Sequence, residues 1–224
     1  MNTITGRKAA AFAAALLAFA AVNAEEKVIY SETFEETIPG QTPKEWRTVW
    51  GNPGGDTVTV SNEKSRGGDN ALMLDRTSNQ GQWGFGFRFP KVEKGTIALE
   101  YDFLLDGPGN QAVLGFELRD NVTGRSVLSA FTVQNFRIRD SKRKPLMELA
   151  RDTWYHVKFT LPLTEADGKE KKIEVTDPKS GKTAELVSPV TAYPSNPGTL
   201  SINTHPGKNN FRAFFDNVKV SVAD

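Results

Sequence analysis

The chain has 224 residues, with 28 Lys and Arg against 27 Asp and Glu, and a formal net charge of +1. Such a balanced composition excludes the general electrostatic attraction by which strongly basic proteins bind nucleic acids or anionic membranes. The absence of cysteine excludes disulfides, cysteine zinc sites and a cysteine nucleophile. A chain of this length can bury a sufficient core without such cross-links.

Residues 1–24 have the pattern of a secretory signal peptide. Arg7 and Lys8 form a short basic segment, residues 9–22 form an almost purely apolar run, and Ala24 ends a small-residue cleavage site. We therefore expect export to the periplasm or beyond, and a mature chain of residues 25–224 with 26 basic and 27 acidic residues. The alternative is an N-terminal helix of the domain. No second long apolar run is present, so we expect no insertion into the membrane. The lack of disulfides fits a bacterial exported protein.

Period-two alternation of apolar and polar residues predicts β-strands through most of the remaining chain. The β-branched and alternating runs lie, in chain order, at residues 57–60, 71–74, 83–89, 97–105, 114–118, 155–161 and 218–222. Turn signals rich in Gly, Pro, Asn and Asp separate these runs. A short segment at residues 146–151 is the only candidate helix. Many short strands at regular spacing predict a single antiparallel β domain over residues 25–224.

Several landmark motifs occur in an order that resembles a known superfamily. They are, in chain order, Glu32-Thr-Phe34-Glu35, Pro39-Gly40, Pro43, Trp46, Ser65-Arg-Gly-Gly68, Gly95 to Phe103, Trp154 to Phe159 and Phe215 to Val220. The order spans essentially all of residues 25–224 and resembles the concanavalin A-like lectins and glucanases, the laminin G-like jelly rolls. The resemblance implies an all-β, two-sheet antiparallel jelly-roll sandwich. These motifs are markers of the fold, which hosts lectins, hydrolases, lyases and adhesion modules, so they do not decide the function.

The same resemblance implies a candidate structural calcium site. In glucanase-like members a calcium ligand stands at the position of Asp216, and its partners come from the first strand, where this chain has Glu32 and Glu35. Calcium binds several hard oxygens, which carboxylates and backbone carbonyls supply. The alternative is a turn Asp that caps backbone amides, together with exposed strand glutamates.

A catalytic carboxylate pair is only partly present. The nearest match to the motif of glucanase-like hydrolases runs from Glu100 through Asp102 to Asp106, where the second Glu of the motif is missing. A retaining hydrolase needs two carboxyl groups about 5 Å apart. Glu117 of the next predicted strand is the candidate for the missing partner.

Histidine is scarce for the Tyr, His and Arg sets that resemblance to the lyases of this fold implies. The chain has only His156 and His205. His156 alternates with core residues, so we expect it to be exposed on a strand. His205 stands at a strand end, where we keep it as a candidate binding residue.

Parity across neighbouring runs predicts one polar sheet face, rich in Arg, carboxylate and Gly. Its members are Gly84, Gly86, Arg88, Glu100, Asp102, Gly115, Glu117, Arg119, Arg137 and Arg139. Sugar sites combine Arg and carboxylate hydrogen bonds with an aromatic ring, and Trp50 is the aromatic candidate. The glycines mark either a ligand approaching the backbone or relief of crowding beside bulky side chains. The alternative for the whole face is a solvated surface neutralised by its own ion pairs.

The sequence therefore favours non-catalytic binding of a polysaccharide or oligosaccharide outside the cell. A glycoside hydrolase or polysaccharide lyase of the same fold is the second hypothesis. A structural surface or adhesion protein is the third. No phosphate-binding loop, nucleophile elbow or zinc-protease motif is present, and no nucleic-acid partner is expected.

Overall fold

Alternating apolar residues determine the strands seen in the computed structural model. It describes residues 26–76, 82–107, 113–121, 127–140, 142–204 and 210–224, so the predicted signal peptide lies outside the described residues. Within these ranges no helix is long and apolar enough to cross a membrane. The strands are β1 (Glu26–Glu32), β2 (Arg47–Gly51), β3 (Thr57–Ser61), β4 (Ala71–Arg76), β5 (Trp83–Arg88), β6 (Thr96–Asp106), β7 (Val113–Asp120), β8 (Val127–Gln134), β9 (Arg137–Arg139), β10 (Pro145–Glu148), β11 (Trp154–Pro162), β12 (Glu170–Thr176), β13 (Thr183–Pro189), β14 (Pro197–Thr204) and β15 (Phe211–Ala223).

These strands form two antiparallel sheets. The first sheet has the order β13-β12-β11-β6-β15-β4-β3, with β1 also paired to β15. The second sheet has the order β10-β9-β8-β7-β14-β5-β2. The first and last strands are neighbours, since Glu26 lies opposite Ala223. The predicted all-β architecture of two antiparallel sheets is confirmed.

The hydrophobic core lies between the two sheets and fixes which way each strand faces. Phe116 of the second sheet stacks on Phe131, with 4.6 Å between ring centroids, and on Tyr101 of the first sheet at 5.7 Å. All three side chains are buried. Burial of each such ring contributes about 1.5–3 kcal/mol. Because strand neighbours point to opposite sides, the residues between these core positions must face outward.

The short segment predicted as a helix is a strand. Residues 145–148 form β10, which pairs with β9. Met147 is buried in the core and lies opposite Ile138. The helix prediction was therefore wrong, because the pairing of one apolar residue across a sheet edge overrides the weak local preference of a short segment.

One ion pair lies inside the sandwich. Arg76 Nη1 is 3.4 Å from Asp56 Oδ2, and both side chains are fully buried. The indole of Trp83 donates to the same carboxylate oxygen at 3.0 Å. Burial lowers the pKa of Arg76, and the negative charge of Asp56 opposes that shift. The carboxylate therefore favours the charged form of Arg76 inside the sandwich.

Candidate functional site

The outward side chains of the second sheet form a polar surface, which we call the polar face. Its strands turn Phe85, Phe116 and Ile202 into the core, so the alternate positions face outward. The polar face comprises Arg47, Trp50, Gly84, Gly86, Arg88, Gly115, Glu117, Arg119, Ala130, Thr132, Gln134, Arg137, Arg139, Glu148, Thr199, Ser201 and Asn203.

One row of this face runs across six adjacent strands. Its members, from β2 to β9, are Trp50, Gly84, Asn203, Gly115, Thr132 and Arg139. Neighbouring strands lie about 4.8 Å apart, so the row spans about 24 Å. Two of its six positions, Gly84 and Gly115, are glycines, and both are buried, as is Asn203 between them.

Trp50 is fixed against the sheet by a hydrogen bond. Its indole Nε1 donates to Asn203 Oδ1 at 3.0 Å, and Ser201 Oγ donates to the same oxygen at 2.6 Å. A Cβ atom at Gly84 would overlap both Trp50 Nε1 and Asn203 Oδ1. Gly84 therefore relieves crowding, one of the two roles predicted for it. The indole that it accommodates remains half-buried.

Two arginines of the polar face form ion pairs with neighbouring glutamates. Arg119 Nε donates to Glu117 Oε2 at 2.8 Å. Arg137 donates from Nε and Nη2 to Glu148 Oε1, at 3.1 and 2.8 Å. The side chains of Arg119 and Glu117 are mostly buried, whereas the pair of Arg137 and Glu148 is exposed and stabilises the fold by at most about 1 kcal/mol.

Three other arginines of the face have no carboxylate partner within the described residues. Arg47 and Arg88 are exposed and form no ion pair there. Arg139 Nη1 donates to the backbone oxygen of Arg143 at 2.8 Å, and its buried Nε has no hydrogen-bond partner. A guanidinium group binds a planar oxyanion through two parallel hydrogen bonds. The polar face therefore offers unused donors of this kind.

Two of the predicted site residues lie elsewhere. Glu100 and Asp102 belong to β6 in the first sheet, whereas Glu117 and Arg119 belong to β7 in the second. The prediction of a single polar face was therefore wrong, because parity decides the side of a strand but not the sheet that the strand joins. Glu117 consequently cannot complete a hydrolase pair with Glu100 on the opposite outer surface.

Glu100 and Asp102 instead flank His156 of β11. His156 Nδ1 is 3.1 Å from Asp102 Oδ1, and Nε2 is 3.4 Å from Glu100 Oε2. The hydrogen bonds to Asp102 and Glu100 raise the pKa of His156 to about 9. The hydrogen bond to His156 is the largest cause that lowers the pKa of Glu100 to about 2, and Lys219 Nζ lies 3.2 Å from that carboxylate. This part of the first sheet is thus neutralised by its own ion pairs.

The three carboxylates predicted to bind calcium accept backbone hydrogen bonds. The donors are the N–H groups of Phe34 for Glu32, of Asp69 and Asn70 for Glu35, and of Arg66, Gly67 and Asn217 for Asp216. Asp216 is fully buried, and burial raises its pKa. Across the described ranges no three His, Asp or Glu side chains form a cluster that could hold a metal. In this structure the three carboxylates are occupied by backbone amides, and calcium binding stays a prediction that calcium titration tests.

Sequence reasoning missed several members of the polar face. Arg47, Ser201 and Asn203 were not predicted, although Ser201 and Asn203 alternate with the core residue Ile202 in the pattern that reveals a strand. Predicted residue His205 lies outside the described residues.

Comparisons with known proteins identify the fold. No family model and no curated protein match the chain. Similar solved structures include a carbohydrate esterase from Shiga toxin-encoding bacteriophage phi24B, with a TM-score of 0.58 and 15% identity over 89% of this chain and 100% of the other. An alginate lyase from Aplysia kurodai has a TM-score of 0.58 and 11% identity over 88% and 99%. Lectin II from Ulex europaeus has a TM-score of 0.51 and 11% identity over 88% and 100%. The chain is a two-sheet antiparallel jelly-roll sandwich, the fold that its landmarks predicted.

Proposed function

We propose that this protein is exported, is non-catalytic, and binds a polysaccharide or oligosaccharide on its polar face. The observation that supports this most directly is the placement of Trp50 on the same face as Arg47, Arg88 and Arg139, whose guanidinium groups have no carboxylate partner within the described residues. An aromatic ring packs on the apolar side of a sugar, and directed donors bind its oxygens.

The ion pairing of the two outer surfaces differs, and this difference favours the polar face over the first sheet as the surface that binds the ligand. On the first sheet, Glu100, Asp102, His156 and Lys219 satisfy one another within 3.4 Å. A surface neutralised in this way has little left to offer a ligand. The unused arginines of the polar face have donors that a ligand can engage without first breaking an ion pair.

The fold supports the same class of ligand without deciding it. The similar structures named above comprise a lectin, a carbohydrate esterase and an alginate lyase. Export through the predicted signal peptide would place the protein where polysaccharides occur. Because one fold hosts many functions, the proposal depends on the polar face and not on this likeness.

Catalysis on a carbohydrate is the second candidate, and Glu117 is the observation that favours it. It is a carboxylate at the centre of the polar face, opposite Ser201 and held by Arg119. A general acid or base must lie within reach of the bond that is cleaved. A bound glycan crossing the row would bring its linkages near this side chain.

A glycan array followed by calorimetry tests the proposal. We expect saturable binding, no release of reducing ends and no new double bond in the product. Replacing Trp50 by Ala removes the ring and should weaken binding about tenfold. The matched control is Lys158→Ala on the first sheet, which should bind like the wild type.

Two results would contradict non-catalytic binding. Turnover of a bound glycan that Glu117→Gln abolishes would favour an enzyme. Failure to bind any neutral or acidic glycan would favour the structural or adhesion hypothesis.

A further inference from the structure

The polar face is strongly enriched in positive charge relative to the rest of the chain. Among its members are five arginines but only two carboxylates. Residues 25–224 as a whole have one more acidic than basic residue. Positive charge is thus concentrated on this face, while the rest of residues 25–224 has more acidic than basic residues. A surface of one sign attracts ligands of the opposite sign.

We infer, given the proposed function, that the glycan bound by the polar face is anionic and carries carboxylate or sulfate groups along its chain. Each of these groups offers two oxygens of one negative charge to the two parallel N–H donors of a guanidinium group, so arginine can bind either in the same way. The hydroxyl groups of a neutral glycan can accept hydrogen bonds from these arginines but cannot neutralise their charge.

The placement of the arginines indicates a polymer, not a single small anion. Arg47 lies on β2, Arg88 on β5 and Arg139 on β9. From β2 to β9 there are five strand intervals, which amount to about 24 Å. No small anion reaches across this distance, whereas an oligosaccharide with repeated charges can contact several arginines at once.

The turn after β9 extends the positive surface beyond Arg139. It contributes the exposed side chains of Lys142, Arg143 and Lys144. Asp140 is the acid of this turn, and its carboxylate accepts the backbone N–H groups of residues 142 and 144 at 2.9 and 2.8 Å. The turn therefore adds positively charged side chains at the β9 end of the row, while the carboxylate of Asp140 binds backbone amides.

The row has an aromatic ring at one end and a positively charged side chain at the other. Trp50 lies at one end, fixed by Asn203, and Arg139 lies five strand intervals away. Arg139 is half-buried, and its Nη1 donates to the backbone oxygen of Arg143 at 2.8 Å, whereas its Nη2 has no hydrogen-bond partner within the described residues.

Polygalacturonate and its methyl ester provide the direct test, because they share one backbone and differ in charge. Calorimetry should give at least about tenfold tighter binding to the acid form than to the ester. Raising salt from about 0.1 M to about 0.5 M should weaken binding to the acid form, since exposed charges are screened. Heparin and its desulfated form make the parallel comparison for sulfate, and distinguish the two sources of negative charge.

Variants of the arginines without a carboxylate partner in the described residues test whether these side chains cause the preference for the anionic glycan. Arg88→Gln should weaken binding to the acid form about tenfold and binding to the ester by a much smaller factor, because the ester loses a hydrogen bond but no pairing of opposite charges. Arg88→Lys should recover part of the loss, because it restores the charge but not the bidentate geometry. Lys158→Gln on the first sheet removes one positive charge elsewhere and should have no effect. Equal melting temperatures would show that the variants are folded.

The outcomes separate this inference from the proposed function. Equal binding of the acid and ester forms, or preference for neutral glycans, would overturn the inference but leave glycan binding intact. Equal binding of single-stranded DNA at the same salt would overturn it by showing attraction to charge alone. No binding to any glycan would remove both.

Discussion

Trp50 and Asn203 are joined across β5 by a hydrogen bond of 3.0 Å from the indole Nε1 to the amide Oδ1. The two residues are 153 positions apart in the chain, and Gly84 lies between them on the intervening strand. This contact ties the edge strand β2 to the middle of the second sheet. It also holds the only aromatic ring that we assign to the polar face.

Replacing Gly84 by Ala should displace Trp50. The new Cβ would overlap the indole nitrogen and the Asn203 oxygen, and forcing extra volume into a packed site costs about 1–3 kcal/mol. We expect a lower free energy of unfolding in urea and weaker glycan binding. Gly67→Ala is the control, because a Cβ there is 3.7 Å from the nearest atom, Asn217 Oδ1. Wild-type stability and binding in Gly84→Ala would show that the indole is not held as described.

The stability contributed by His156 should depend on pH. Its pKa is raised from 6.5 to about 9 in the folded protein, so the native state binds the proton more tightly than the unfolded state. The stabilisation is therefore full below pH 6.5 and is lost as the pH rises through about 9. Since His156 is 40% exposed, screening limits the effect to about 1 kcal/mol.

His156→Gln variants measured by urea unfolding between about pH 5 and pH 10 test this pH dependence. The variant should be less stable than the wild type in the acid half of the range, and the gap should close above about pH 9. Lys158→Gln should show no such closing gap. A difference that stays constant with pH would mean that His156 acts through packing alone.

The buried pair of Arg76 and Asp56 should be sensitive to loss of one partner. Removing one member of a buried ion pair costs about 3–5 kcal/mol, so Asp56→Ala should unfold at much lower urea concentration. The double variant Asp56→Leu with Arg76→Met should recover part of that loss, because apolar residues replace both charges. As the exposed comparison, Lys169→Ala breaks a surface pair with Glu165 and should change stability by less than about 1 kcal/mol. A mild effect of Asp56→Ala would show that this pair is not needed.

Asp216 should stabilise the loop of residues 65–70 without calcium. Its carboxylate accepts the N–H groups of Arg66 at 2.8 Å and Gly67 at 3.1 Å, and Asp216→Asn should cost about 1–3 kcal/mol by weakening these bonds. Calcium at about 1 mM should leave the melting temperature of the wild type unchanged, because the carboxylate oxygens already face amide hydrogens. A rise with calcium in the wild type, lost in Asp216→Asn and reversed by chelator, would establish the site that the sequence predicted.

The fold was predictable because its signal is local. Phe85 and Phe87 alternate with glycines, and Leu99 and Tyr101 alternate with Ala98 and Glu100, so each strand shows its buried side in its own residues. The order of the landmark motifs then resembled that of a known jelly roll. The candidate site was only partly predictable from the same pattern. Arg88 and Arg119 were correctly predicted to face outward, because each directly follows a buried residue of its strand, Phe87 and Leu118.

The remaining errors come from contacts between distant parts of the chain. Glu100 and Glu117 are close in sequence and have matching parity, but β6 and β7 belong to different sheets. Asn203 joins the site through a hydrogen bond to a residue on β2, which no local pattern reveals. Strand pairing decides both which sheet a strand joins and which residues lie beside Asn203, and this pairing depends on packing across the whole sandwich.

The central claim is that the polar face, and not the first sheet, binds a glycan. Backbone amide chemical shifts measured during titration with the tightest-binding oligosaccharide of the array test it most directly. The account predicts that the largest changes occur at Gly84, Gly115 and Asn203, with little change at Lys158 and Glu174 on the first sheet. Changes centred on Lys158 and Glu174, with the polar face unaffected, would contradict it.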